Sequence, residues 1–324
     1  MVGGQQNKKM KKILIFNIVF IFVIIIFLEF IVKYFELSNL KGIEKGLINT
    51  DNQIHKMIPG ASGILYDKKV FIDENGFRVP SKFFSYSKEN NSIFIIGDST
   101  TFGNGVKEEN TFVGQLRTNF ENLNFLNSSV PGYNLRHYKH NFKIINDFDN
   151  IIKIIYFITL NDVYEKKSVK EFNNKKKFFF NIDLVNNLNI FFRNKSYLFT
   201  YFVGITTDPS KRYFQNVLNF YKNKDISKLD NYLRMLKTLS LKKNIDLEII
   251  ILPYEYQTRK CTNDDLIPQK KIKNILQNLA IDFLDYTDYF CNFNKPKTLF
   301  YKFDPMHLSR EGHSLVYNLL KGKI

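Results

Sequence analysis

The stretch SIFIIGDSTTFGNG, residues 92–105, decides how this chain is read. Residues 92–96 are an apolar run of strand length that stops abruptly at Gly97-Asp98-Ser99. Two more glycines, Gly103 and Gly105, follow at once. Gly97 permits a sharp turn, and Ser99 opens the next segment. One account is bland: a strand ends and a turn follows. The other is that Ser99 is held at the end of a sheet to do chemistry. The remaining residues weigh one account against the other.

Working outward, strand-like runs alternate with helical spacing from residue 92 onward. Strands are expected at 92–96, 124–130, 151–160, 246–253 and 281–287, with helices at 111–123, 134–148, 226–243, 268–279 and 309–320. That rhythm argues for a parallel sheet with helices on both faces. In open sheets of this kind ligands sit at the carboxyl ends of the strands. Small polar signals fall at three such ends: Gly97-Asp98-Ser99, then Gly132 in SSVPGYN, then Asn161 and Asp162 in TLND. A fourth, FDPMHLSREGH, places Asp304 three residues before His307.

These residues supply what acyl transfer to and from a serine requires. A serine hydroxyl is a weak nucleophile until a base takes its proton. His307 can be that base, with Asp304 holding the other ring nitrogen and fixing the tautomer. The amides of Ser99 and Gly132 and the Asn161 side chain can face a developing oxyanion. Each signal alone is cheap. Gly-Asp-Ser is common, Asn-Asp at a strand end is ordinarily a turn, and Asp304 or His307 can equally cap a turn or sit satisfied in the core. His55, His137, His140 and His313 take that ordinary reading. Order is what separates the accounts, because each signal closes its own segment.

At this point the chain resembles the SGNH hydrolases, also called the GDSL esterase/lipase family, from residue 92 to its last residue. The blocks that carry the likeness are IIGDSTTFGNG, NSSVPGYN, ITLND and DPMH. The resemblance implies a flavodoxin-like three-layer α/β/α sandwich with a mostly parallel five-stranded sheet. It also implies Ser99 as nucleophile, His307 as base supported by Asp304, and Ser99, Gly132 and Asn161 as oxyanion donors. Thr100 stands where the family's name has Leu. Thr159 stands where the third block usually has glycine, which bears on the backbone around Asn161. The ENGFRVP hairpin behind an N-terminal anchor is similar to membrane-tethered bacterial members, some of which add or remove acetyl groups on envelope polysaccharide.

The anchor is read from residues 13–32, ILIFNIVFIFVIIIFLEFIV, a nearly unbroken apolar run of bilayer length. Lys8, Lys9, Lys11 and Lys12 precede it, so the N-terminus is expected inside and the rest outside the cytoplasmic membrane. A cleaved signal peptide is the competing reading, but no small-residue cleavage triplet follows. The expected organisation is a cytoplasmic tail at 1–12, a transmembrane anchor at 13–35, a stalk and accessory hairpin at 36–91, and the catalytic domain at 92–324. Residues 164–225 interrupt the strand–helix rhythm with Lys and Phe clusters, and read as a cap-like insertion or a surface near the membrane.

The chain has 324 residues, 33 of them Phe, and a net charge of +16. That is enough apolar material for a large core and excludes a disordered chain. The positive excess comes without a nucleic-acid motif, so it favours anionic surfaces over nucleic acid. Cys261 and Cys291 are an even pair, a disulfide candidate in an oxidising compartment, with two buried thiols as the other reading. No metal-ligand spacing and no dinucleotide fingerprint is present, so no metal or cofactor is expected. Three functions stay open at this point. The first is a membrane-anchored serine esterase acting on O-acyl, including O-acetyl, esters. The second is an O-acyltransferase that moves acyl groups to or from envelope polysaccharide, partnered with a membrane-bound acyltransferase. The third is a non-catalytic envelope scaffold.

Overall fold

Five strands with near-continuous apolar sequence form the central sheet: β6 (Asn91–Ile96), β7 (Leu123–Asn127), β8 (Ile151–Ile158), β9 (Asp246–Ile251) and β10 (Phe283–Asp285). The computed structural model describes residues 2–51, 54–163 and 182–324. Every neighbouring pair in the sheet is parallel, in the order β7-β6-β8-β9-β10. Counted along the chain this is 2-1-3-4-5, the flavodoxin-like winding, with the direction of winding reversing beside β6.

The apolar runs are explained by burial on both faces. Alternate residues of one run point to opposite sides, and the core divides accordingly. Phe94, Ile96, Ile154, Tyr156 and Ile158 face a cluster that includes Leu229, Leu233 and Leu236 of the helix Ser227–Lys243. Ile93, Ile95, Ile155 and Phe157 face the other way, onto Phe112 and Leu116 of the helix Phe112–Asn119 and Val316 and Leu320 of the helix Arg310–Leu320. The expected helix over 134–148 is broken at Lys139 into Leu135–Tyr138 and His140–Asp147.

Residues 36–91 are not a free-standing spacer. β1 (Ile48–Asp51) pairs with β2 (Ile54–Met57), and β3 (Ser62–Leu65), β4 (Lys68–Ile72) and β5 (Arg78–Val79) form an antiparallel sheet. Leu47, Met57, Leu65, Val70 and Phe77 enter the same apolar cluster as Phe94 and Ile96. The turn at Asn75-Gly76 joins β4 to β5, with Asp73 Oδ1 accepting from the amides of Asn75 and Phe77 at 2.8 Å each. A second hairpin joins β3 to β4 through Tyr66 and Asp67, both left-handed at φ 48° and 65°. Two consecutive positive φ values make the tight turn that suits a two-residue hairpin, ordinarily carried by Asn-Gly.

The helix Val2–Tyr34 contains a stretch, Lys9–Tyr34, long and apolar enough by length and composition to cross a membrane. Of the cap-like insertion, 164–181 lies outside the described residues. The rest is helical: Ile182–Lys195, Tyr197–Thr207 and Pro209–Asn223. Cys261 and Cys291 are bridged, their Cα atoms 6.2 Å apart; along the chain they follow β9 and β10.

Candidate active site

β6 ends at Ile96, and Gly97 then turns the chain so tightly that a Cβ there would overlap Thr101. Asp98 caps the short helix Ser99–Phe102, its Oδ1 accepting from the Thr100 amide at 2.9 Å. Ser99 is the first residue of that helix, so its amide has no acceptor within the helix.

From 208 residues away, His307 brings Nε2 to 2.8 Å from Ser99 Oγ. Its Nδ1 lies 2.9 Å from Asp304 Oδ1. The ring nitrogen is not well aligned along that line, so the two atoms are in close contact without a straight hydrogen bond. The Asp304 carboxylate shapes its own turn, Oδ1 accepting from the amides of Met306 at 3.1 Å and His307 at 3.0 Å. Its other oxygen accepts from Lys41 Nζ at 2.9 Å. Burial by itself would raise the Asp304 carboxyl. The facing His307 ring and the Lys41 ammonium outweigh it and hold the group well below the usual carboxylate range.

Asn161 sits where β8 hands over to its loop. Its Nδ2 donates to Asp98 Oδ2 at 3.2 Å, and its Oδ1 accepts from the Tyr254 hydroxyl. Those two partners fix which way the amide faces and leave one N–H of Nδ2 uncommitted. Thr159, the departure noted in the sequence, has a structural reason. Its hydroxyl lies 3.0 Å from Asp98 Oδ2 and 3.3 Å from Asp162 Oδ1, bridging two buried carboxylates. Asp162 also accepts from Tyr138 at 2.8 Å and Tyr156 at 2.7 Å. Burial, and then the Asp98 charge, push the Asp162 carboxyl well above its usual range. It stands in the core as a hydrogen-bond hub. Gly132 has φ 86°, and a Cβ there would approach His55 Nε2 to 3.3 Å. That nitrogen donates to the Pro131 carbonyl at 2.6 Å.

Several residues around this centre have no signal in the sequence. Lys41 and Tyr66 reach it from the N-terminal segment; the Tyr66 ring stands edge-on to His307, centroids 5.4 Å apart. Burial, with Asp304 second, raises the Tyr66 phenol. Arg78 is fully buried and donates to the carbonyls of Phe102 at 2.5 Å, Gly103 at 2.7 Å and Val106 at 2.6 Å, holding the loop after Ser99. His313 is buried against Phe112, and burial lowers its imidazole to about 3, so it stays neutral. A cleft of about 880 Å³, lined by Tyr66, Lys68, Lys107, Tyr301, Lys302 and Arg310 among others, does not open on Ser99. Tyr66, Tyr301 and Phe303 are shared by that cleft and the surroundings of His307 and Asp304. Among the described residues no cluster of His, Cys, Asp or Glu is arranged to hold a metal ion.

No family model matches the chain, and no curated protein matches it. Solved structures do. One is a member of the lipolytic protein G-D-S-L family from Veillonella parvula, 14% identical, TM-score 0.44, the match covering 71% of this chain and 96% of that one. A lipase/acylhydrolase from Enterococcus faecalis is 11% identical at TM-score 0.42, covering 72% and 96%. The acetylxylan esterase Axe2 from Geobacillus stearothermophilus is 15% identical at TM-score 0.42, covering 72% and 95%. These structural neighbours are ester-cleaving hydrolases.

Proposed function

We propose that this chain is a membrane-anchored serine esterase that hydrolyses O-acyl esters outside the cytoplasmic membrane. The observation that carries the reading is the 2.8 Å approach of His307 Nε2 to Ser99 Oγ, with an ionised Asp304 behind the imidazole. Ser99 Oγ attacks the acyl carbonyl as its proton passes to Nε2. The imidazolium so formed faces Asp304, then protonates the departing alcohol. Water enters, gives a proton to the same nitrogen and attacks the acyl carbonyl; the carboxylic acid leaves as Nε2 returns that proton to Ser99 Oγ. The negative oxygen that develops at each stage meets the Ser99 and Gly132 amides and the free N–H of Asn161; loss of one such donor costs about 2.7–4 kcal/mol of transition-state stabilisation. The Cys261–Cys291 bridge fits an oxidising compartment, and the lysines before residue 13 fit an inside N-terminus.

Ser99→Ala is expected to abolish turnover of a short-chain nitrophenyl ester and labelling by a fluorophosphonate, with circular dichroism unchanged. Unaltered turnover in that variant refutes the reading, and failure of the native chain to label favours an inert scaffold. One observation favours a second reading, transfer of the acyl group to an envelope-glycan hydroxyl, with a membrane-bound acyltransferase supplying it. Ser99 and His307 are each only 8% exposed, which limits the water that can reach an acyl-serine. Mass spectrometry of acylated Ser99 with and without a glycan acceptor separates the two: transfer fails if the acceptor never captures the acyl group.

A further inference from the structure

The helices Ile182–Lys195 and Tyr197–Thr207 leave large apolar side chains uncovered. Leu188, Ile190, Phe191, Phe202 and Ile205 are 47–60% exposed. On the second helix, Leu198, Phe202 and Ile205 fall at i, i+4 and i+7, one face, while Tyr197, Thr200 and Gly204 turn inward. Such a face needs an occupant.

The anchor shows which one. Glu29, near the outer end of the apolar helix, accepts from Ser196 Oγ at 2.8 Å, the Tyr197 amide at 2.6 Å and the Leu198 amide at 3.0 Å. A carboxylate inside an anchor helix is costly without partners, and the start of the second helix supplies three. The two elements are therefore joined where the anchor leaves its apolar stretch. Lys33 lies 5.7 Å from the Tyr197 ring, and Arg193 and Lys195 close the first helix, so basic and aromatic groups ring the junction as they do at a membrane–water boundary. Apolar face, junction and basic rim are continuous with the anchor.

We propose that these two helices lie on the outer leaflet beside the anchor, with Phe191, Phe202 and Ile205 in the headgroup–acyl boundary. The occupant is lipid. The consequence reaches the catalytic turn: Gly204 is packed so closely on Phe303 that a Cβ there would overlap the ring, and Tyr201 meets Phe303 edge-on at 5.8 Å. Gly204 is seven residues along the helix from Tyr197, about 10 Å at the helical rise. The Phe303–Asp304 turn is thus seated on the membrane-lying helix, which places the Ser99 centre for esters presented at the bilayer surface.

This inference rests on the anchor reading, and the test separates the two. The native cysteines are bridged, so a single introduced cysteine is the only thiol. The full chain in proteoliposomes is labelled with an environment-sensitive fluorophore at Phe191→Cys, Phe202→Cys or Ile205→Cys. Phe22→Cys in the anchor and Leu241→Cys on the remote helix Ser227–Lys243 serve as references. Brominated phospholipid is expected to quench the three test sites at least about twofold, as an interfacial helix requires, to quench Phe22→Cys, and to leave Leu241→Cys alone. Test sites that behave like Leu241→Cys while Phe22→Cys is quenched overturn the inference and spare the anchor. An unquenched Phe22→Cys overturns both.

Discussion

Lys41 acts on Asp304, the acid of the proposed triad, from the N-terminal segment. It is 23% exposed at the side chain, whereas its partner Asp304 is 3% exposed, so the contact is shielded from solvent on one side only. A hydrogen bond to a charged group of this sort is worth about 1.5–3 kcal/mol. Lys41→Ala is expected to lower kcat about tenfold, the effect of ~1.4 kcal/mol, with KM held, and Lys41→Arg to recover most of it. The variant also changes the response to acid. Asp304 has a depressed carboxyl, so its contribution to stability is complete above the unfolded value of about 3.9 and is lost as pH falls toward the folded value. Removing the ammonium lessens the depression. Acid unfolding of Lys41→Ala, followed by far-ultraviolet circular dichroism since the chain has no Trp, should begin at higher pH than in the native chain. An unmoved transition, with kcat intact, would show that Lys41 only decorates the turn.

At the scale of elements, the ENGFRVP hairpin is a clamp on the loop that follows Ser99. Arg78 reaches three carbonyls, Phe102 at the end of the Ser99 helix and Gly103 and Val106 beyond it, and Arg117 donates to the Arg78 carbonyl at 3.0 Å and the Phe125 carbonyl at 2.7 Å, tying hairpin to β7. Burial lowers the Arg78 guanidinium to about 10, which leaves it charged at neutral pH. A buried carbonyl left unpaired costs about 1–3 kcal/mol, so Arg78→Met is expected to destabilise by roughly 3 kcal/mol or more. Thermal unfolding of the full chain measures it; a loss under 1 kcal/mol would mean that the loop holds itself. The same hairpin marks how far the sequence could be read. Strands β6 and β8 announce themselves, because a strand buried on both faces must be apolar throughout. Asn75-Gly76 announces its turn for the same local reason. The Tyr66-Asp67 turn is silent: tyrosine does not signal a left-handed backbone, and what holds it there, the Gly42 carbonyl 2.8 Å from the Tyr66 amide and the Tyr197 hydroxyl on Asp67, is tertiary. Ser99 and His307 were legible because their types and order are chemical. Lys41, one lysine among many, becomes special only when folding sets it against a residue 263 positions away.

Across the whole molecule, the N-terminal segment touches the helix Tyr197–Thr207, the Asp304 turn and the core. Glu29 receives the helix Tyr197–Thr207, Ser38 Oγ donates to the Tyr197 carbonyl at 2.6 Å, Lys41 holds Asp304, and Leu47 and Met57 lie 1% and 2% exposed in the core under β6. On the proposed reading, a chain that keeps Ser99, Asp304 and His307 but lacks this segment is expected to be a poor centre. Two truncations separate anchoring from assembly. Deleting 1–35 removes the apolar helix and the Glu29 contact but keeps Ser38, Lys41, Leu47 and Met57. It is expected to give a protein released from membranes that still labels at Ser99 with a fluorophosphonate. Deleting 1–60 removes those four as well, stripping two buried side chains from the core at about 1.5–3 kcal/mol each. It should lose most of the labelling and melt earlier, although Ser99, Asp304 and His307 are all kept. Equal labelling rates in the two truncations would mean that the catalytic domain stands without its N-terminal segment, and that the ion pair with Lys41 and the packing of Leu47 are incidental to the chemistry.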